Sequence, residues 1–99
     1  WEKIKKRLDL PSESEQKLAI IEAEGILDEI LKKIGFPGTT FGERLKQMTP
    51  AQLSNIEEVW EAHKVRNNIV HDPDYKLSHE EAKVALEIYE RSLINLEAL

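Results

Sequence analysis

Apolar residues recur along this chain with helical spacing, and no segment shows the alternation of apolar and polar residues that is typical of strands. The longest series predicts a second helix: Leu18, Ile21, Ala23, Ile26, Leu27, Ile30, Leu31 and Ile34. Two later series predict a long penultimate helix and a final one: Ile56, Val59, Trp60, Val65, Ile69 and Val70, then Ala82, Ala85, Leu86, Tyr89, Leu93 and Leu96. The pattern predicts an all-α fold, a bundle of four to five helices with up-and-down topology.

Capping residues predict where these helices begin and end. A Ser or Thr followed three residues later by Glu indicates a capping box, in which each side chain bonds the backbone N–H of the other residue. The chain holds four such pairs: Ser12 with Glu15, Thr40 with Glu43, Ser54 with Glu57, and Ser78 with Glu81. Pro11 predicts the end of a short first helix, Gly35 the end of the second, and Pro73 the end of the penultimate one.

The second predicted helix has two features that need an explanation. Gly25 lies in its middle, where Gly costs about 1 kcal/mol relative to Ala, so we expect another helix to approach closely there. Acidic residues also line this helix, and they predict a solvated face rather than a cation site. They are Glu22, Glu24, Asp28 and Glu29.

The composition is that of a folded domain. Ninety-nine residues, 40% of them apolar and 33% charged, suffice for one modest core, so we expect residues 1–99 to form a single domain. The absence of cysteine excludes a disulfide scaffold and metal sites built on thiolates. The formal net charge of −5 argues against a protein that coats nucleic acid through bulk electrostatics, although a local basic site is compatible with it.

The start of the chain is basic. Residues 1–7 carry a net charge of +3, whereas residues 8–99 carry −8. The first residue is Trp1 and not Met, so we expect that the chain is excised from a longer protein or processed. A basic segment that begins with Trp is typical of the cytoplasmic flank of a membrane helix, so an upstream membrane anchor is one interpretation. The other interpretation is that residues 1–10 are a linker or a short first helix with a basic polar face.

The end of the penultimate helix holds the residues most suited to chemistry. His63, Asn67 and His71 are four residues apart, which places them on one helix face, and Arg66 precedes Asn67. This set suits phosphoryl transfer on RNA without a metal. A histidine can take a proton from a ribose 2′-hydroxyl or give one to the leaving 5′-oxygen, and an arginine can hold the phosphate with two parallel hydrogen bonds. A two-fold dimer would bring two copies of Arg66 and His71 together.

Two other interpretations of these residues remain open. Polar residues at a helix end often cap carbonyl groups or pair with nearby acids, here Asp72 and Asp74. His63, Asn67 and His71 also have a spacing that can bind a metal ion, but Asn is a poor ligand for transition metals and no carboxylate follows the same spacing. We therefore expect no metal and no cofactor.

The run Arg66-Asn67-Asn68-Ile69-Val70-His71 resembles the signature of the HEPN superfamily, which is an Arg, an Asn, three variable residues and a His. The resemblance covers the chain from about residue 13 to residue 96, and it implies a four- or five-helix bundle that often dimerises. In active members the Arg and His cleave RNA at the dimer interface without a metal. This implies that Arg66 and His71 are catalytic, with Asn67 as a polar helper. We expect His63 and Lys64, which precede the motif, to bind the substrate.

HEPN domains also include inactive members that bind nucleotides or serve for dimerisation, and similar small bacterial proteins carry such a domain behind a membrane helix. We therefore predict a metal-independent endoribonuclease, or another RNA-directed effector, that acts on RNA as a cytoplasmic homodimer. The alternative is a non-catalytic dimerisation or nucleotide-binding module at the cytosolic end of a longer, membrane-anchored protein.

Overall fold

The computed structural model describes residues 1–99, which form five α-helices and no strand. The helices are α1 (Glu2–Arg7), α2 (Glu13–Ile34), α3 (Phe41–Leu45), α4 (Ile56–His71) and α5 (His79–Asn95). The prediction of an all-α bundle is confirmed. α2 is the longest helix and contacts each of the other four, and α4 also packs on α5. None of the five helices has both the length and the apolar character that crossing a membrane requires.

One apolar core joins all five helices. Twenty buried apolar side chains form a single cluster, to which the short helices α1 and α3 contribute Ile4, Phe41 and Leu45. The three long helices bury residues at the helical spacing that the sequence shows, with Tyr89 of α5 as the largest fully buried side chain. Burying a Leu or Val side chain contributes roughly 1.5–3 kcal/mol. This core therefore fixes α2, α4 and α5 relative to one another.

Two predicted helix ends are confirmed in full. Ser78 and Glu81 form the capping box that begins α5, with the Ser78 hydroxyl accepting from the Glu81 N–H at 3.0 Å and the Glu81 carboxylate accepting from the Ser78 N–H at 3.3 Å. Gly35 ends α2 with a φ of 110°, in the left-handed region that favours Gly. Its N–H donates to the Leu31 carbonyl at 3.1 Å. Local sequence therefore decides both of these ends.

At Ser12 and Thr40, only one of the two hydrogen bonds of the predicted capping box forms. Each hydroxyl accepts a hydrogen bond from the expected backbone N–H, that of Glu15 or Glu43. Neither glutamate side chain returns the bond. Glu15 instead binds the guanidinium group of Arg7 at 2.6 Å, which ties α1 to α2. The Glu43 carboxylate binds the loop that precedes α3.

The predicted capping box of Ser54 and Glu57 is wrong. α4 begins with Asn55 at the N-cap position, and no side chain caps the helix. Ser54 Oγ accepts a hydrogen bond from Asn95 at 3.1 Å, and the Asn55 amide donates to Ser92 at 3.1 Å. Both polar side chains face α5, so tertiary contacts replace the local cap.

The close helix contact predicted at Gly25 is also wrong. Gly25 is exposed, and a Cβ atom built on its backbone has no neighbouring atom within 4 Å. Packing within the chain therefore does not require a Gly at this position.

Candidate functional site

A cleft of about 620 Å³ opens between α2, α4 and the segment where the loop before α3 meets the start of that helix. Its walls come from residues 21–28, residues 39–42 and the second half of α4, which contributes four side chains. These are His63, Arg66, Asn67 and His71. They share one wall because residues three, four and eight positions apart return to the same side of an α-helix. The structure thus brings all three predicted catalytic residues together with His63.

Lys64, the other residue predicted to bind the substrate, does not line the cleft. Its side chain is 72% exposed, and its ammonium group is 3.6 Å from the Glu61 carboxylate on the same helix. Successive residues of a helix point about 100° apart around its axis, so position 64 is turned away from the wall that His63 occupies.

A buried carboxylate lies against these residues. Glu24 of α2 is only 3% exposed, so the predicted solvated face is wrong at this position. Its Oε1 accepts two hydrogen bonds, from the Tyr89 hydroxyl at 2.9 Å and from His63 Nδ1 at 2.9 Å. Its Oε2 is 3.2 Å from Arg66 Nε, in an ion pair whose N–H does not point at the oxygen. Burying a carboxylate is costly without partners, and α4 and α5 supply them here.

Tyr89 is a permanent donor to this carboxylate. Its side chain is fully buried, and this burial, together with the negative charge of Glu24, raises the pKa of the hydroxyl far above its ordinary value. The hydroxyl is therefore protonated at neutral pH and donates to Glu24. One acceptor position on Glu24 Oε1 is always occupied.

The surrounding hydrogen bonds decide which nitrogen of His63 carries a proton. Arg66 has only donors, so the Asn67 atom that its Nη1 contacts at 3.3 Å is the amide oxygen. The amide nitrogen of Asn67 then faces His63 Nε2 at 3.3 Å and donates to it. Because Nε2 accepts, Nδ1 carries the proton and donates to Glu24. The bonds thus run from Arg66 through Asn67 and His63 to Glu24 with a donor and an acceptor at every step.

Neighbouring rings fix the plane of the His63 imidazole. The centre of the Phe41 ring is 5.3 Å away with an interplanar angle of 53°, and the Trp60 ring meets the imidazole edge-on at 5.8 Å. A Cβ atom on Gly42 would lie 3.4 Å from Nε2, so the backbone also approaches closely. The His63 side chain is 15% exposed and has little freedom to turn.

The loop before α3 is held in place by its own polar contacts. Arg44 is 4% exposed and binds both Asp28 of α2, at 2.9 Å, and the carbonyl of Gly38. Glu43 accepts hydrogen bonds from the backbone N–H and the hydroxyl of Thr39, at 2.7 and 2.9 Å, and these bonds lower the pKa of its carboxyl group. Gly38 has a φ of 143°, and a Cβ there would clash with Glu43 at 2.8 Å. This wall of the cleft is therefore built from fixed backbone.

Arg66 and His71 are open to a ligand. His71 is exposed at the last residue of α4, and the Arg66 side chain is 31% exposed. Guanidinium groups bind phosphate, and imidazoles transfer protons near neutral pH. The cleft thus presents a cation, an exposed imidazole and the Nε2 acceptor of His63. No group of three His, Asp or Glu side chains is arranged to hold a metal ion.

Glu24 is the site residue that the sequence analysis missed. The signal was present, because Glu24 follows Ile20 by four residues and precedes Leu27 by three, on the stripe that α2 buries. A single acid within an apolar stripe indicates a buried and paired carboxylate. The prediction grouped it instead with its acidic neighbours along the chain.

Comparison of the chain with protein-family models, with curated proteins and with solved structures finds no match. The interpretation of the cleft therefore depends on its geometry and on the motif in α4.

Proposed function

We propose that this chain is a metal-independent endoribonuclease of the HEPN type, which acts on RNA as a homodimer. The observation that carries the proposal is the cleft that Arg66, Asn67 and His71 share, since the HEPN resemblance implies catalytic roles for these residues. Arg66 and His71 are also accessible to solvent, as a phosphate-binding cation and a proton-transfer group must be.

RNA contains its own nucleophile, which is why such a site needs no metal. A base takes the proton of the ribose 2′-hydroxyl, the oxygen attacks the adjacent phosphorus, and the bond from phosphorus to the 5′-oxygen breaks. An acid gives the leaving oxygen a proton, so the products carry a 2′,3′-cyclic phosphate and a 5′-hydroxyl. Arg66 stabilises the charge that grows on the phosphate, and His71 transfers a proton.

The second half of α4 offers the surface for a second copy of the chain. α4 buries only Ile56, Val59 and Ala62, all in its first half, whereas Val70 is 45% exposed within the motif. A two-fold contact along the second half would place two copies of His71 near one another. We expect sedimentation analysis to show a dimer, and a monomer at high micromolar concentration would contradict this part of the proposal.

The test of catalysis is cleavage of labelled single-stranded RNA in excess EDTA. We expect the parent protein to cleave and His71→Ala to lower the rate about 10²–10⁴-fold. Arg66→Lys should also lose cleavage activity, because an ammonium group cannot form the planar pair of hydrogen bonds to the phosphate. His79→Ala and Arg91→Lys are matched controls, since both residues are exposed outside the cleft, and both should cleave at the parental rate.

One observation favours the non-catalytic alternative. Arg66 Nε is 3.2 Å from the buried carboxylate of Glu24, so Arg66 already has a partner within the chain and links α4 to α2. In that case the chain is a dimerisation or nucleotide-binding module. A parent protein that is inert on varied RNAs, with a lower melting temperature for Arg66→Lys than for Arg91→Lys, would favour this alternative over the ribonuclease.

A further inference from the structure

We infer that Glu24 is a positioning residue that makes His63 the general base of the cleft, an inference that rests on the proposed ribonuclease function. His63 Nε2 takes the proton of the 2′-hydroxyl, and His71 gives a proton to the leaving 5′-oxygen. Acid and base then come from one protomer, and a second copy of His71 is not needed for either proton transfer.

His63 has the geometry of a base with an orienting carboxylate. Its Nδ1 donates to Glu24 at 2.9 Å, which fixes the tautomer whose lone pair is on Nε2. Nε2 lies beside Gly42, another residue of the cleft wall. In a Ser-His-Asp triad, a carboxylate in this position holds the tautomer and stabilises the imidazolium that forms when the histidine takes a proton. Glu24 is placed to perform both tasks.

Burial makes Glu24 an effective orienting group. The residue is 3% exposed, so water has little access to the oxygen that both His63 and Tyr89 contact. Tyr89 holds this oxygen from the α5 side, since its raised pKa keeps the hydroxyl a donor. The other oxygen is 3.2 Å from Arg66 Nε. One carboxylate therefore places both the base and the cation that binds the phosphate.

The spacing along α4 suits an in-line reaction. His63 and His71 are eight residues apart, which is about 12 Å along the helix axis, and Arg66 lies between them. A phosphate bound at Arg66 has one histidine toward each end of the cleft. In-line displacement needs this order, because the attacking and leaving oxygens are on opposite sides of the phosphorus.

Asn67 occupies the lone pair of His63 in the free protein. Its hydrogen bond to Nε2 is long, at 3.3 Å, and a 2′-hydroxyl can replace it with a shorter one. Asn67 is held through its amide oxygen by Arg66, the residue that meets the phosphate. Substrate binding at Arg66 and release of Nε2 by Asn67 are thus linked.

The first measurement is the tautomer of His63, from the ¹⁵N NMR signals of its ring nitrogens in the full chain. We expect a protonated Nδ1 and an unprotonated Nε2 in the parent protein, and a mixture of tautomers in Glu24→Gln, whose neutral amide holds Nδ1 less strongly. Glu22→Gln is the matched control, because Glu22 is on the same helix but binds Arg7 at 2.6 Å. An unprotonated Nδ1 in the parent protein, or identical spectra for the parent and Glu24→Gln, would overturn the inference.

The second measurement is RNA cleavage by the same proteins. Glu24→Gln should lower kcat by up to about 10⁴-fold, the loss seen when the carboxylate of a Ser-His-Asp triad is changed to an amide. Glu22→Gln should leave kcat unchanged, and His63→Gln should lower it about 10²–10⁴-fold.

The outcomes separate the inference from the function it rests on. If the parent protein cleaves RNA and Glu24→Gln cleaves equally well, the inference is wrong and the ribonuclease remains. If the parent protein cleaves no RNA, the ribonuclease proposal is wrong and the inference with it. Should Glu24→Gln not fold, the parental spectrum still decides the tautomer. An unchanged kcat for His63→Gln then excludes His63 as the base.

Discussion

The two halves of α4 differ in what covers them. Residues 56–62 bury an apolar side chain on each turn, beginning with Ile56 and Val59, and pack against the core. Residues 63–71 also include apolar side chains, but none of them is fully buried, and Val70 is 45% exposed. Four polar side chains of this second half line the cleft instead. Apolar spacing thus continues along the whole helix, but full burial ends in its middle, and Val65 and Ile69 are only partly buried where they pack against the core.

This difference shows that spacing identifies a helix without identifying what its faces contact. The first half needs α2 and α5 to cover its apolar residues, and that contact stabilises the fold. The second half presents His63 and Arg66 to the cleft, with buried Glu24 as their common partner. We therefore expect stability to depend on the first half, chemistry to depend on the second half, and both to depend on Glu24.

The largest contrast is expected between two truncations in α4. Ile56→Ala removes most of a side chain that is 6% exposed, and it should lower the free energy of unfolding by about 2–5 kcal/mol. Val70→Ala removes exposed atoms, and in the monomeric chain it should change the free energy of unfolding by less than about 0.5 kcal/mol. Urea unfolding of both variants measures the contrast. Equal losses would contradict the division of α4 into a buried and an open half.

A smaller effect is expected where α5 supports the second half of α4. Tyr89→Phe deletes the buried hydrogen bond to Glu24, and it should destabilise the protein by about 1.5–3 kcal/mol, as for other bonds to charged groups. Tyr75→Phe is the control, because its bond to Glu81 is only partly buried. Thermal melting should show the larger drop for Tyr89→Phe. The same drop in melting temperature for both variants would mean that burial does not strengthen the hydrogen bond between Tyr89 and Glu24.

Gly25 provides a test at the edge of the cleft. Gly25→Ala should stabilise the protein by about 0.5–1 kcal/mol, because Ala has a higher helix propensity than Gly and the new methyl group meets no neighbouring atom. Gly35→Ala is the opposite control, since its φ of 110° strains any residue with a Cβ, and it should lower the melting temperature. A destabilised Gly25→Ala would show that the space beside this residue is filled in solution.

The smallest effect concerns pH and the loop that follows α4. Glu13 accepts the Leu77 N–H at 2.9 Å, and this bond lowers the pKa of its carboxyl group below its ordinary value. A carboxyl group whose pKa is lower in the folded chain than in the unfolded chain stabilises the fold at pH values above the unfolded pKa. This contribution is lost as the pH falls through the folded pKa. The melting temperature of the parent protein should therefore fall more steeply than that of Glu13→Gln between about pH 6 and about pH 3. Parallel curves would contradict the role of this bond.

Local signals in the sequence predict most of the fold. The box at Ser78 and the left-handed Gly35 act within a few residues of chain, so their helix ends are readable from the sequence alone. The cap predicted at Ser54 fails because its hydroxyl accepts from Asn95, a residue 41 positions away. Where a helix end packs against another helix, the side chains of that second helix decide which capping bonds form. The local sequence pattern does not contain those side chains.

The candidate site is predictable only where it lies on one helix. His63, Arg66, Asn67 and His71 share a face of α4, so spacing is enough to group them. The contribution of Glu24 depends on how α2 packs against α4, which no local pattern describes. The sequence shows that Glu24 occupies a buried stripe of α2, but only the packing shows that His63 and Arg66 are its partners.

The edge-on contact between Trp60 and His63 gives the protein an internal optical probe. An indole in contact with an imidazolium loses fluorescence, because the excited ring passes an electron to the cation, whereas a neutral imidazole quenches much less. The chain has two tryptophans, and Trp1 lies on α1's side of the core, away from the cleft. In a Trp1→Phe background, the emission of Trp60 therefore reports on the charge of His63 without any attached dye.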